Sequence, residues 1–134
     1  MARFLCFACR RTITASVRKI PLPPWKESPE GATEWFERIK APRMPRGTYA
    51  ANHRPGEFSG EPPGLVVHPD DARGMRLHPD TSRITGCCGI NLLDGPNLVC
   101  EGCGAELAVH QADCHTENQV TLVTEAVILS YADD

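Results

Sequence analysis

Two Cys-x-x-Cys pairs stand near opposite ends of this 134-residue chain, Cys6/Cys9 in FLCFACRR and Cys100/Cys103 in NLVCEGCGAE. Two residues between cysteines let one tight turn aim both sulfurs at a common point. Two such turns facing each other make a tetrahedral cage of thiolates, the usual shell of a structural zinc ion. Gly104, directly after the second pair, supplies the positive φ that such a knuckle often needs. A shell of four sulfurs leaves no position for water or substrate, so the chemistry expected of it is structural. The same spacing also serves disulfides and redox dithiols. Reduced cytosolic thiols and an odd total of seven cysteines favour metal over both. Bringing the pairs together closes the 90 residues from 10 to 99. That entropy penalty grows only logarithmically with length, and a tetrathiolate zinc can offset about 10 kcal/mol or more.

Cys87, Cys88 and Cys114 remain, with His78, His110 and His115 as candidate fourth ligands. Cys87, Cys88, Cys114 and His115 would form a second zinc site and use every cysteine. Successive side chains of an extended strand point opposite ways, so Cys87 and Cys88 can also serve different ions, with the knuckle pairs redistributed between them. Two other readings stay open. The three thiols can be reduced and buried as small apolar groups. Alternatively, Cys114 can act as a nucleophile beside His115 or His110, although no third orienting group is evident. The chain has no phosphate-binding glycine loop, no supported carboxylate pair and no serine elbow, and no catalytic residue is assigned.

A short echo links LVVHPDDARGM to RLHPDTSRIT, placing His68-Pro69-Asp70 and His78-Pro79-Asp80 ten positions apart, with Arg73 and Arg83 following. Each proline should end a strand, with Asp70 and Asp80 accepting local hydrogen bonds in the turns. Two copies are too few for a solenoid.

The elements that must position these residues are mostly β. RTITASVRKI is rich in β-branched residues and alternates, so 3–20 reads as strand, knuckle and returning strand. NLV, the second knuckle and AELAVH make another hairpin, and QVTLVTEAVILSY supplies one or two further strands. Between them, residues 21–63 hold nine of the twelve prolines and break any long element. Ser28 can cap one short helix in SPEGATEWFERIK, with Pro29 at its first position and Pro42 beyond its end. RGTYAA at 46–51 can begin a strand. The expectation is one small zinc-ribbon-like domain over residues 1–134. It consists of a knuckle hairpin at 1–20, a Pro-rich segment wrapping the core at 21–63, and a β region at 64–134.

With eight aromatic residues against 23 glycines and prolines, the core must be thin and metal a useful supplement. No apolar run approaches the roughly 20 residues that span a bilayer, and MARFLCFACRRTITAS lacks the unbroken apolar stretch of a signal peptide. A cytoplasmic protein without membrane contact is the expectation. Charge is divided unevenly. Residues 1–54 carry eleven Lys/Arg against four Glu, a net +7, and residues 55–134 carry three Arg against thirteen Asp/Glu, a net −10. Mutual neutralisation on packing is the preferred reading. The alternative is an acidic partner met by the basic part.

HPD at 78–80 with Arg83, GCCG at 86–89, DGPN at 94–97, the knuckle at 100–104 and Asp113-Cys114 together resemble a group of small cysteine-rich proteins of actinobacteria, as does the Cys6/Cys9 pair with basic residues after it. That group often carries an aromatic after the Asp-Cys step, where this chain has His115. The resemblance covers both ends of the chain and skips the Pro-rich middle. It implies a zinc-ribbon-like fold and no particular activity. The function expected is a non-enzymatic, zinc-stabilised module that binds a protein partner or acts as an accessory subunit. A second expectation is a ribosome- or transcription-associated ribbon contacting nucleic-acid phosphates through Arg3, Arg10, Arg11, Arg18 and Lys19. A third is a small zinc or thiol enzyme using Cys87, Cys114 and a histidine.

Overall fold

The alternation of RFLC turns Phe4 and Cys6 toward one side of a strand, where both are buried. This strand is β1 (Arg3–Cys6) of a computed structural model that describes residues 1–25, 31, 39–56, 61–84, 90–91, 95–113 and 116–131. Eight more follow: β2 (Arg18–Lys19), β3 (Thr48–Asn52), β4 (Gly64–Val67), β5 (Met75–Leu77), β6 (Leu98–Cys100), β7 (Glu106–Gln111), β8 (Gln119–Leu122) and β9 (Val127–Ser130). The protein is mostly β. Helical structure among the described residues is limited to three 3-10 turns at Pro69–Asp71, Thr81–Arg83 and Thr124–Ala126. The short helix expected over 28–40 falls at positions that lie, except for Gly31, Ile39 and Lys40, outside the described residues.

β1 pairs antiparallel with β9, and the other seven strands form a sheet in the order β2-β3-β4-β8-β7-β6-β5. Among the named strands of this sheet, β2 alone runs parallel to its neighbour, with Lys19 beside Tyr49. The main core draws on both sheets: Phe4, Ile13, Val17, Tyr49, Leu107 and Leu122 are all buried in it. Phe4 meets Tyr49 edge to face, with ring centroids 5.1 Å apart. Neighbours in a strand point opposite ways, so Ala50 and Val66 enter a second cluster with Met44, on the far side of β3 and β4 from Tyr49 and Val67.

The second ribbon forms as the sequence predicts, from β6, a knuckle and β7, with a register shift at Leu98/Val99. The first is less regular than predicted. Its returning arm makes single bridges, Leu5 with Thr12 and Ala2 with Val17, before the two-residue β2. The cause is competition for backbone groups. The Ala15 N–H donates to the Asp71 carbonyl, the Arg73 N–H to the Ile13 carbonyl, and the Phe4 N–H to the Thr14 hydroxyl. The arm is thus shared between β1 and residues 71–73, and no continuous ladder can form.

Residues 40–43 lie along β8. The Arg43 N–H donates to the Asn118 carbonyl, and the Asn118 amide donates to the Lys40 carbonyl. Buried Lys40 faces buried Glu117 at 3.6 Å, and buried Arg43 pairs with Glu61 and donates to Gln119. Arg11–Glu101 and Arg46–Asp71 are further ion pairs of the same kind, whereas Arg83–Glu106 lies within the acidic part. Among the described residues, the four pairs Lys40–Glu117, Arg43–Glu61, Arg11–Glu101 and Arg46–Asp71 cross between the two parts. Each joins a base from residues 1–54 to an acid from 55–134, which gives the uneven charge distribution a structural use. No helix among the described residues is long and apolar enough to cross a membrane.

Candidate metal centre

β1 delivers Cys6, and β6 delivers Cys100, at the inner ends of two matching knuckles. In the first, the Cys6 N–H donates to the Arg11 carbonyl and the Arg10 N–H to the Cys6 carbonyl. The second repeats both bonds, from the Cys100 N–H to the Ala105 carbonyl and from the Gly104 N–H to the Cys100 carbonyl. Even the outer clamp is repeated: the Phe7 N–H donates to the Ala126 carbonyl, and the Glu101 N–H to the Gly74 carbonyl, each at 2.9 Å. Both turns close through a left-handed residue. In the second it is Gly104 at φ 78°, as the sequence suggests; in the first it is Arg10 at φ 69°, an unusual conformation for a side-chain-bearing residue.

The four sulfurs converge within 4.8 Å of one another. The short distances run between knuckles, with Cys6 Sγ to Cys103 Sγ at 3.6 Å and Cys9 Sγ to Cys100 Sγ at 3.6 Å. A disulfide requires about 2.05 Å. A tetrahedral thiolate site with metal–sulfur bonds of about 2.3 Å requires sulfurs about 3.8 Å apart; the two cross-knuckle pairs stand near that distance, and the remaining pairs lie within 4.8 Å. The group can therefore hold a metal ion, with Cys6 and Cys100 buried inside and Cys9 and Cys103 at the surface.

The sulfurs are not equivalent. Burial pushes the Cys100 thiol up, but N–H groups of Cys103 and Gly102 and the thiols of Cys9 and Cys103 outweigh it and bring it down to about 7. The Gly102 N–H lies 3.3 Å from that sulfur. The Arg11 N–H lowers Cys9, yet the Cys100 thiol, burial and the other two sulfurs prevail and raise it to about 11. The Ala105 N–H lowers Cys103, but burial and the Cys6 and Cys100 sulfurs leave it raised. Of these three, Cys100 ionises first, and a cation must displace protons from Cys9 and Cys103.

Two residues at this site carry no motif and escape sequence reading. Gly74, at φ 65°, fits where a Cβ would stand 2.8 Å from the Thr12 carbonyl oxygen, and its own carbonyl clamps the second knuckle. Glu101 reaches from the second knuckle to Arg11 of the first, tying the two turns together at 3.2 Å.

Cys87, Cys88, Cys114 and His115, the predicted second site, lie outside the described residues, and so do the sulfurs needed for a thiol or zinc enzyme. The histidines considered with them have other surroundings. His78 Nε2 sits 2.9 Å from Glu106, which Arg83 also grips. His110 is largely buried on β7, and that burial lowers its pKa. The His-Pro-Asp echo proves to be a turn device. In both copies the histidine Nδ1 accepts the aspartate N–H at 2.9 Å. Asp80 accepts from Ser82 as predicted. In the first copy the engaged carboxylate is Asp71 rather than Asp70, because Asp71 is buried against Arg46 and the Gly47 N–H.

The basic residues of the first hairpin do not act as one set. Arg3 donates to the Ser16 hydroxyl, and Arg11 is held by Glu101. Arg10 lies over the exposed Phe7 ring, while Arg18 and Lys19 are exposed on β2. No protein-family model matches the chain, and no curated protein or solved structure shows significant similarity to it.

Proposed function

We propose that this chain is a non-catalytic interaction module whose fold is fastened by one structural zinc ion on Cys6, Cys9, Cys100 and Cys103. The observation that carries this reading is the convergence of four sulfurs from two matching knuckles, at the spacing of a closed tetrahedral shell. Zinc suits the site because four thiolates complete its preferred coordination and leave no room for a substrate. Iron in the same shell would bring colour and redox activity, which separates the two experimentally. The ion takes over work that a thin core cannot do. Phe7, 59% exposed at the tip of the first knuckle with Arg10 stacked on it, offers a protein partner a rigid apolar contact. Cross-linking of metal-loaded wild type and Phe7→Ser in the cells that make the protein tests this role. A stoichiometric protein partner lost from Phe7→Ser supports it; identical cross-links from both refute it.

A second reading, contact with nucleic acid, is favoured by the exposure of Arg10, Arg18 and Lys19. Against it stand Arg3 and Arg11, whose side chains are occupied within the protein. Electrophoretic mobility titration at two salt concentrations decides: steeply salt-dependent binding supports this reading, and no binding at low salt ends it.

A further inference from the structure

Away from the knuckles, the two sheets part along a cleft of about 310 Å³. Phe4, Val127 and Leu129 line it from β1 and β9, and Tyr49, Ala51 and Leu65 line it from β3 and β4. A second hollow of about 240 Å³ adjoins it, lined in part by Val17, Tyr131 and Met1. Lys19 and Tyr49 belong to both, so Lys19 borders the two hollows where they adjoin. His53 borders the first and Arg18 the second. No acidic side chain among the described residues lines either one. Lys19, Arg18 and His53 have no hydrogen bond or ion pair through their side chains among those residues.

An apolar floor bordered by unpaired basic side chains has a specific chemical complement. A ligand with an apolar body fills the cleft and displaces water from the partly exposed Leu65 and Leu129. One negative group at its end remains at the cleft mouth, where Lys19 meets it without being buried. A cationic ligand would face three basic side chains, and a neutral one would leave them unused. The size is also set. At roughly 30 Å³ per non-hydrogen atom, the first hollow holds about ten of them. The parallel pairing of β2 with β3 fixes Lys19 beside Tyr49, so the lysine enters the lining from one edge strand.

We propose that the cleft between the two sheets is a binding site for a small unbranched monocarboxylate of about eight carbons in all, held by Lys19 over a floor of Phe4, Tyr49, Leu65 and Leu129. The site uses none of the four knuckle cysteines, but Phe4 shares β1 with Cys6, so the ligand is tested on zinc-loaded protein, where failure to bind octanoate leaves the metal reading untouched. Its function would be recognition of a ligand, with no bond made or broken.

The test uses the zinc-loaded full chain, titrated with sodium octanoate by calorimetry and by two-dimensional amide NMR, with octylammonium and octan-1-ol as charge controls. Octanoate should saturate with Kd about 1 mM, as roughly ten well-seated atoms give, and shift the amides of Tyr49, Ala51, Leu65 and Leu129. Octylammonium should not bind there, and octan-1-ol should bind about threefold more weakly. Lys19 is exposed, so Lys19→Glu should keep the amide spectrum of the folded protein while weakening octanoate about fivefold. Ala51→Trp should block the cleft and abolish those shifts. The proposal is overturned if octanoate fails to saturate by about 20 mM, if octylammonium binds equally well, or if Lys19→Glu leaves the affinity unchanged.

Discussion

Replacing Gly104 by alanine isolates one contribution to the metal site. Gly104 closes the second knuckle at φ 78°, and a Cβ added there meets nothing within 4 Å. Any effect of Gly104→Ala must therefore come from the backbone conformation and not from a clash. Holding an L-residue in the left-handed region costs about 1–2 kcal/mol, and the stiffer unfolded chain returns about 0.4–1 kcal/mol. The net is about 1 kcal/mol against the knuckle. Metal binding draws on the same folding free energy, so apparent zinc affinity should fall about fivefold. The converse variant, Arg10→Gly, relieves the same conformation at φ 69° but loses the stack on Phe7 and loosens the unfolded chain. Its affinity should stay within about twofold of wild type. Competition with a chromophoric zinc chelator reads both. Equal affinity for Gly104→Ala and wild type, or a larger loss for Arg10→Gly than for Gly104→Ala, would refute the reasoning.

Three further outcomes follow from the packing. Gly74→Ala forces a Cβ to 2.8 Å from the Thr12 carbonyl oxygen at the seam between the knuckles, so it should weaken zinc binding more than Gly104→Ala does in the same competition assay. Glu117→Gln leaves Lys40 buried without its counter-charge and should lower stability in urea by about 3 kcal/mol, whereas a loss under about 1 kcal/mol would contradict a buried pair. Burial holds the His110 pKa below its usual value, so the unfolded chain takes up the proton first and stability should decline as pH falls below about 6.5. His110→Gln should flatten that decline in zinc-saturated urea titrations, and an unchanged slope would exclude the assignment.

The features legible in the sequence are those written in local spacing. Cys-x-x-Cys fixes a turn, β-branched alternation fixes strands, and the composition of residues 98–111 fixes a hairpin almost residue for residue. Gly104 announced its own backbone conformation. Arg10 did not, because its left-handed φ is imposed by the hydrogen bonds of the first knuckle and not by its residue type. The returning arm at 12–17 reads locally as a strand, yet residues 71–73 claim part of its backbone, a contact between segments far apart in sequence. The pairing of Lys40, Arg43 and Arg46 with Glu117, Glu61 and Asp71 has no periodic signature either. Charge asymmetry signalled that such pairs should exist without saying which. The cleft at Lys19 depends on how two sheets diverge, which no linear pattern records.

Metal content under selective removal of thiols tests the central claim most directly. A variant with Cys87, Cys88 and Cys114 all changed to serine retains Cys6, Cys9, Cys100 and Cys103 as its cysteines. Native mass spectrometry of that variant should show one tightly bound zinc per chain, and adding Cys6→Ser should remove it and unfold the β1–β9 pair. Zinc retained after Cys6→Ser, or a folded, metal-free triple variant that takes up no zinc, would contradict the account.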